Sequence, residues 1–169
     1  QLLTFQEKSE LQTVVARVIG RDVSTEYRAL RLNRGENSGI QKDMAVVTSE
    51  GVVGRVLRTT ADTADVVTVV DTLSAVDAID ERSRARGIVE GLSDDLCQLR
   101  FALRIDDIAP NDVLISSGLG GIFPKGVPVG IVSKVTKQPY GITQDVEVRP
   151  AVDFSKLEEV LVIVKKVKS

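Results

Sequence analysis

The side chains that most often carry out covalent or acid–base chemistry are scarce in this chain: its 169 residues contain one cysteine and no histidine. Without histidine, no Ser-His-Asp or Cys-His nucleophile can be assembled, and no His-containing zinc site. Cys97 alone can make neither an internal disulfide nor a multi-thiolate metal site, and within "LCQLR" it reads as a small buried hydrophobe. That leaves Ser, Asp and Lys chemistry. "VVDTLS", residues 69–74, approaches the apolar-Asp-Thr-Gly turn of aspartic proteases, but Leu73 stands in the glycine position. No second copy supplies the partner carboxylate that such a site requires. No S-x-x-K pattern occurs either. The adjacent acids Asp94-Asp95, Asp106-Asp107 and Glu158-Glu159 would point to opposite faces of an extended chain and read as solvated charges. No catalytic, cofactor-binding or metal-ligating set emerges.

The stretch "SSGLGGIFPKGVPVG", residues 116–130, holds five of the chain's 13 glycines and two of its five prolines. As a phosphate cradle it fails. Read from Gly118, Phe123 occupies the place of the third fingerprint glycine; read from Gly121, no Gly-Lys-Ser/Thr end follows. A strand pattern comes next, rather than the helix N-terminus that binds phosphate. Gly118, Gly120, Gly121 and Gly126 are therefore expected to permit turns, with Pro124 and Pro128 stiffening the loop. Ile122 and Phe123 are expected at an apolar tip that contacts a partner. The competing role for Phe123 is as a core plug.

"ERSRARG" places Arg82, Arg84 and Arg86 on one face of an extended segment. One reading is a charged edge strand that discourages aggregation; the other is a contact for an anionic partner or lipid head group. No aromatics are interleaved, which argues against a single-strand nucleic-acid platform.

The elements that must position these residues are almost all short and β-branched. From Val14 onward, "VVARVI", "YRALRLN", "MAVVT", "GVVGRV", "VVTVV", "SAVDAI", "GIVEG", "LCQLRFAL", "DVLISS", "VPVGIVSKV", "ITQDVEVR" and "VLVIV" follow one another, mostly punctuated by Gly, Asp, Asn or Pro. Val127, Val129, Ile131 and Val135 are expected on one face of a strand, and Ile142, Val146 and Val148 on one face of the next. "KQPYG" joins those two strands, and "TSEG" joins an earlier hairpin. Long helices between strands are absent, which excludes the doubly wound nucleotide folds. Residues 1–12, "QLLTFQEKSELQ", favour helix. "GIQKDMAVV" and "GIFPKGVPV" echo each other with one residue inserted, consistent with two similar β units.

Composition fits a soluble globular chain, 43% hydrophobic and 27% charged, with a core of Val, Ile and Leu because only four Phe, two Tyr and no Trp are available. A net charge of −2 argues against nucleic acid as a partner. The chain begins at Gln1 and has no apolar run near the length of a membrane span, so a piece of a longer protein is expected.

Five motifs, in this order, resemble the extracytoplasmic part of the MreC rod-shape-determining family: "ARVIGRD", "NRGENSGIQKDMAVVTSEGVVGRV", "ARGIVEG", "SSGLGGIFPKGVPVG" and "VRPAVDFSKLEEVLVI". The likeness spans roughly Val14 to Val164; Ser116 stands where the family more often has Thr. It implies an all-β fold of two small β-barrel units, with chymotrypsin-like topology but without catalytic residues, preceded by a short N-terminal helix. The expected organisation is the end of a coiled-coil helix at 1–12, barrels at 13–81 and 82–150, and at 151–169 a C-terminal strand returning to the first unit. The resemblance further implies a single upstream membrane anchor, a periplasmic location and self-association as a homodimer or higher oligomer. Its implied partners are MreB, MreD, RodA and the class B penicillin-binding transpeptidase. The implied role is a non-enzymatic scaffold of the cell-elongation machinery that binds and activates peptidoglycan synthases. The readings from other classes are a β-barrel hydrolase using Ser, Asp or Lys, and an OB-like nucleic-acid module.

Overall fold

The structure, a computed structural model, describes residues 11–166. The helix expected at the N-terminus falls mostly outside these residues. Its last two positions, Leu11 and Gln12, instead open a strand. Twelve strands follow, all paired antiparallel, with two short 3₁₀ turns at Glu36–Ser38 and Phe154–Lys156.

The first barrel contains β1 (Leu11–Arg21), β2 (Ala29–Leu32), β3 (Ala45–Thr48), β4 (Gly51–Thr59), β5 (Ala64–Thr68) and β12 (Glu159–Lys166). It closes in the order β1-β12-β3-β4-β5-β2, so the C-terminal strand fills the gap between β1 and β3. Closure removes exposed strand edges, and it explains why the last strand is needed to complete the first unit. Six strands enclose a narrow interior, filled here by Leu32, Ile40, Val46, Val52, Val56, Val66 and Val162, each fully buried. Each such side chain contributes about 1.5–3 kcal/mol by leaving water. Gly54 is required by this tightness, because a Cβ there would land on the Val67 carbonyl of the neighbouring strand. On the barrel wall Asp65 is almost wholly buried between Arg31 and Arg58, its cross-strand partners on β2 and β4. Arg31 Nε donates to Oδ1 at 2.8 Å and Arg58 Nε to Oδ2 at 2.8 Å.

The second barrel contains β6 (Ala75–Asp80), β7 (Arg86–Ser93), β8 (Leu96–Arg100), β9 (Val113–Ser116), β10 (Pro128–Lys137) and β11 (Gln144–Pro150), closed in the order β10-β11-β8-β7-β6-β9. The division between units lies at Thr68/Val69, not at 81/82 as the sequence suggested. The reason is that β6 pairs with β7 and β9, which places residues 69–81 in the second unit.

Two faces expected from alternation are also corrected. Ile131 is exposed while Val132 is fully buried, because the register slips against β9 between Pro128 and Gly130 and re-phases the strand. Ile142 precedes β11 and is 77% exposed; the inward position ahead of Val146 belongs to Gln144.

Candidate interaction surface

The glycine-rich loop joins β9 to β10. Gly118, Gly120, Gly121 and Gly126 have φ of 87°, 89°, 77° and 94°, in the left-handed region that side chains with a Cβ disfavour. These reversals turn the loop back on itself, Gly126 N–H donating to the Ser116 carbonyl at 2.8 Å. Phe123 is consequently buried at 7% exposure and Ile122 is half-buried, so the expected apolar tip is not formed by these two residues. Leu119 takes that place, 61% exposed. Ser116, wholly buried, donates from Oγ to the Pro124 carbonyl and accepts from the Val127 N–H at 2.9 Å. Pro128 opens β10 opposite Ile115. Ser117 Oγ donates to Asp77 Oδ1 at 2.6 Å, tying the loop's start to β6. Ser116 meets only backbone groups, and the Asp77 carboxylate that accepts from Ser117 also faces Arg86 at 4.0 Å.

The three arginines do not share a strand face. Asp80 ends β6 and Arg86 begins β7, so Arg82 and Arg84 belong to the intervening hairpin turn, where Arg84 adopts φ 67°. Arg82 turns back on its own barrel. Its Nε donates to Asp112 Oδ1 at 2.9 Å and its Nη2 to Asp112 Oδ2 at 2.8 Å, while Nη1 reaches Asp107 Oδ2 at 2.7 Å. These bonds hold both Asp112 and Asp107 below the usual carboxylate range. A guanidinium so engaged is committed to folding and has little left for an anionic partner.

The surface that sequence reasoning missed lies beside β8 and β11. These strands share only two residue pairs, Gln98 with Glu147 and Cys97 with Val148. Beyond them Phe101 takes φ 67° and leaves the ladder. The chain rejoins through the Leu103–Thr143 bridge, with Arg104 N–H donating to the Ile142 carbonyl at 2.7 Å and Gln144 N–H to the Ala102 carbonyl at 3.0 Å. The gap is an open groove of about 510 Å³ lined by Leu92, Gln98, Arg100, Phe101, Thr143 and Glu147, among others. On the same two segments, Phe101, Leu103, Ile105, Tyr140 and Ile142 are 62%, 41%, 89%, 86% and 77% exposed. Arg100 lies over the Phe101 ring, 5.5 Å from its centroid. Isolated exposed apolar residues are ordinary; here five large ones fall on two segments joined by backbone hydrogen bonds. The sequence signal was present in "FALRI" and "YGI", runs too short to distinguish from core strand.

Cys97 is fully buried, its Sγ 3.4 Å from the Val69 carbonyl, and burial pushes its thiol up to about 12. Among the described residues, no group of three His, Cys, Asp or Glu could hold a metal ion.

Two closed six-stranded antiparallel barrels define an all-β double-barrel protein. The chain belongs to the MreC family: the family model "Rod shape-determining protein MreC, barrel core" matches residues 18–164. The cell shape-determining protein MreC of Bacillus subtilis is 27% identical over 166 residues, covering 91% of this chain and 57% of that one. The crystal structure of MreC from Pseudomonas aeruginosa is 28% identical with a TM-score of 0.86, covering 90% of this chain and 99% of that one. A solved complex between a penicillin-binding protein and MreC from Helicobacter pylori aligns with a TM-score of 0.68 at 19% identity, over 92% of this chain and 100% of that one, a likeness of fold alone. The chain spans about half the length of the curated relatives it matches. No helix among the described residues is long and apolar enough to cross a membrane.

Proposed function

We propose that this chain is the periplasmic part of a membrane-anchored, non-enzymatic scaffold of the cell-elongation machinery, which binds and activates the class B penicillin-binding transpeptidase. The observation that carries the reading is the exposed apolar side chains of Phe101–Ile105 and Tyr140–Ile142, two segments held together by backbone hydrogen bonds. The relative solved in complex with a penicillin-binding protein supports the choice of partner. Self-association and links to MreB, MreD and RodA complete the proposed role, with the anchor lying upstream of Gln1.

Calorimetric titration of the chain into the soluble part of the cognate transpeptidase tests the reading. Saturable binding with a negative heat-capacity change is the expected signature of apolar burial. No heat at any temperature, at concentrations in the tens of micromolar, would sink it.

A further inference from the structure

Asp80, the last residue of β6, has no exposed surface. Its Oδ1 accepts from the backbone N–H groups of Arg82 at 2.9 Å and Ser83 at 3.2 Å. Its Oδ2 is buried and no donor reaches it. Arg82 brings a second acid to the same turn, its backbone N–H bonded to Asp80 and its guanidinium holding Asp112, and the two carboxyl groups act on each other there. Both Asp112 oxygens are already occupied, by the two Arg82 nitrogens and by the Ala109 N–H at 2.9 Å. Two carboxylates cannot hydrogen-bond without a proton between them. Asp112, with a bidentate guanidinium, is the better anion; Asp80, with an orphaned oxygen, is the better acid.

We propose that Asp80 is kept as a neutral carboxylic acid that donates its Oδ2 proton to Asp112, forming a pH-sensitive latch between the β6–β7 hairpin and the segment 105–112. That segment begins at the exposed Ile105, so on the reading of these residues as a docking surface the latch holds one end of it.

The charged groups around it are few. Glu81, Arg82 and Arg84 belong to the hairpin turn, and Arg86 begins β7. Asp106, Asp107 and Asp112 lie on the facing segment, and Lys137 of β10 acts on Asp107. The Arg82 guanidinium is bonded to Asp112 and shared with Asp107, while Asp80 receives only the Arg82 backbone N–H. Burial first, and the contact with Asp112 second, push Asp80 up to about 6. In the unfolded chain it would ionise near its ordinary value of about 4. Between about pH 4 and 6 the folded chain therefore holds a proton that the unfolded chain has lost, so stability falls as pH rises through that window and levels above it. Asp112, held low, has the opposite sign: its contribution is complete above about pH 4 and lost below.

Carbon-13 titration of the carboxyl groups in the full 169-residue chain, combined with urea unfolding of wild type and Asp80→Asn across pH, tests the latch. One aspartate, assigned to Asp80, should titrate near about 6, and wild-type unfolding at about pH 5 should release close to one proton per molecule. Asparagine reproduces the neutral donor, so its stability should stay flat in the same window. An Asp80 carbon that titrates near about 4 overturns the proposal, as does an Asp80→Asn profile parallel to wild type. If the variant does not fold, the wild-type titration decides alone.

Discussion

Arg82 grips Asp112 through two parallel hydrogen bonds, Nε to Oδ1 at 2.9 Å and Nη2 to Oδ2 at 2.8 Å, across a sequence separation of 30 residues. A planar fork makes this bond, and lysine has none. Arg82→Lys should therefore lower the melting temperature, and Arg82→Ala should lower it further. Thermal unfolding checks the order. An alanine variant that melts with wild type would show the contact to be incidental.

Phe123 is buried at 7% exposure while Leu119 on the same loop is 61% exposed. Phe123→Ala should cost about 3–5 kcal/mol of folding stability. Leu119→Ala should change it by less than about 0.5 kcal/mol. Equal losses in denaturant titration would contradict this division between core and surface.

Asp65 adds an acid limb to the stability profile. Its hydrogen bond from Arg31, reinforced by Arg58, lowers its pKa against the opposing effect of burial. Because the folded value is depressed, the stabilisation is complete above about pH 4 and disappears as pH falls through the folded value. Asp65→Asn should cost about 1–2 kcal/mol at neutral pH and little in strong acid. A loss independent of pH would show the effect to be packing.

Much of this architecture follows from local patterns, and the exceptions have physical causes. Alternation and turn residues place all twelve strands near their observed positions, including the Thr48–Gly51 hairpin, because each strand is short and flanked by polar residues. The unit boundary is hidden in Val66–Val70, four valines around Thr68 that are all buried although Thr68 and Val69 belong to different units. The tight turn after Asp80 is equally invisible, since Arg84 takes a left-handed conformation without glycine or asparagine to announce it. The exposed apolar residues around Phe101 depend on where β8 leaves β11, a long-range pairing that Phe101 does not reveal in sequence.

Cys97 should resist thiol reagents in the folded chain at about pH 8, since burial raises its pKa and closes access to it. Labelling should appear only on unfolding. Rapid modification under native conditions would show that β8 opens at its contact with Val69.

The most direct test of the binding account is the affinity of the chain for the cognate class B transpeptidase, measured for wild type and for an Ile105→Ser, Ile142→Ser double variant. Both side chains are mostly exposed, so the double variant should fold with stability within about 1 kcal/mol of wild type. Its dissociation constant should rise at least about tenfold, a loss of about 1.4 kcal/mol or more in binding. A folded double variant that binds as tightly as wild type would contradict the assignment of this patch as the docking surface.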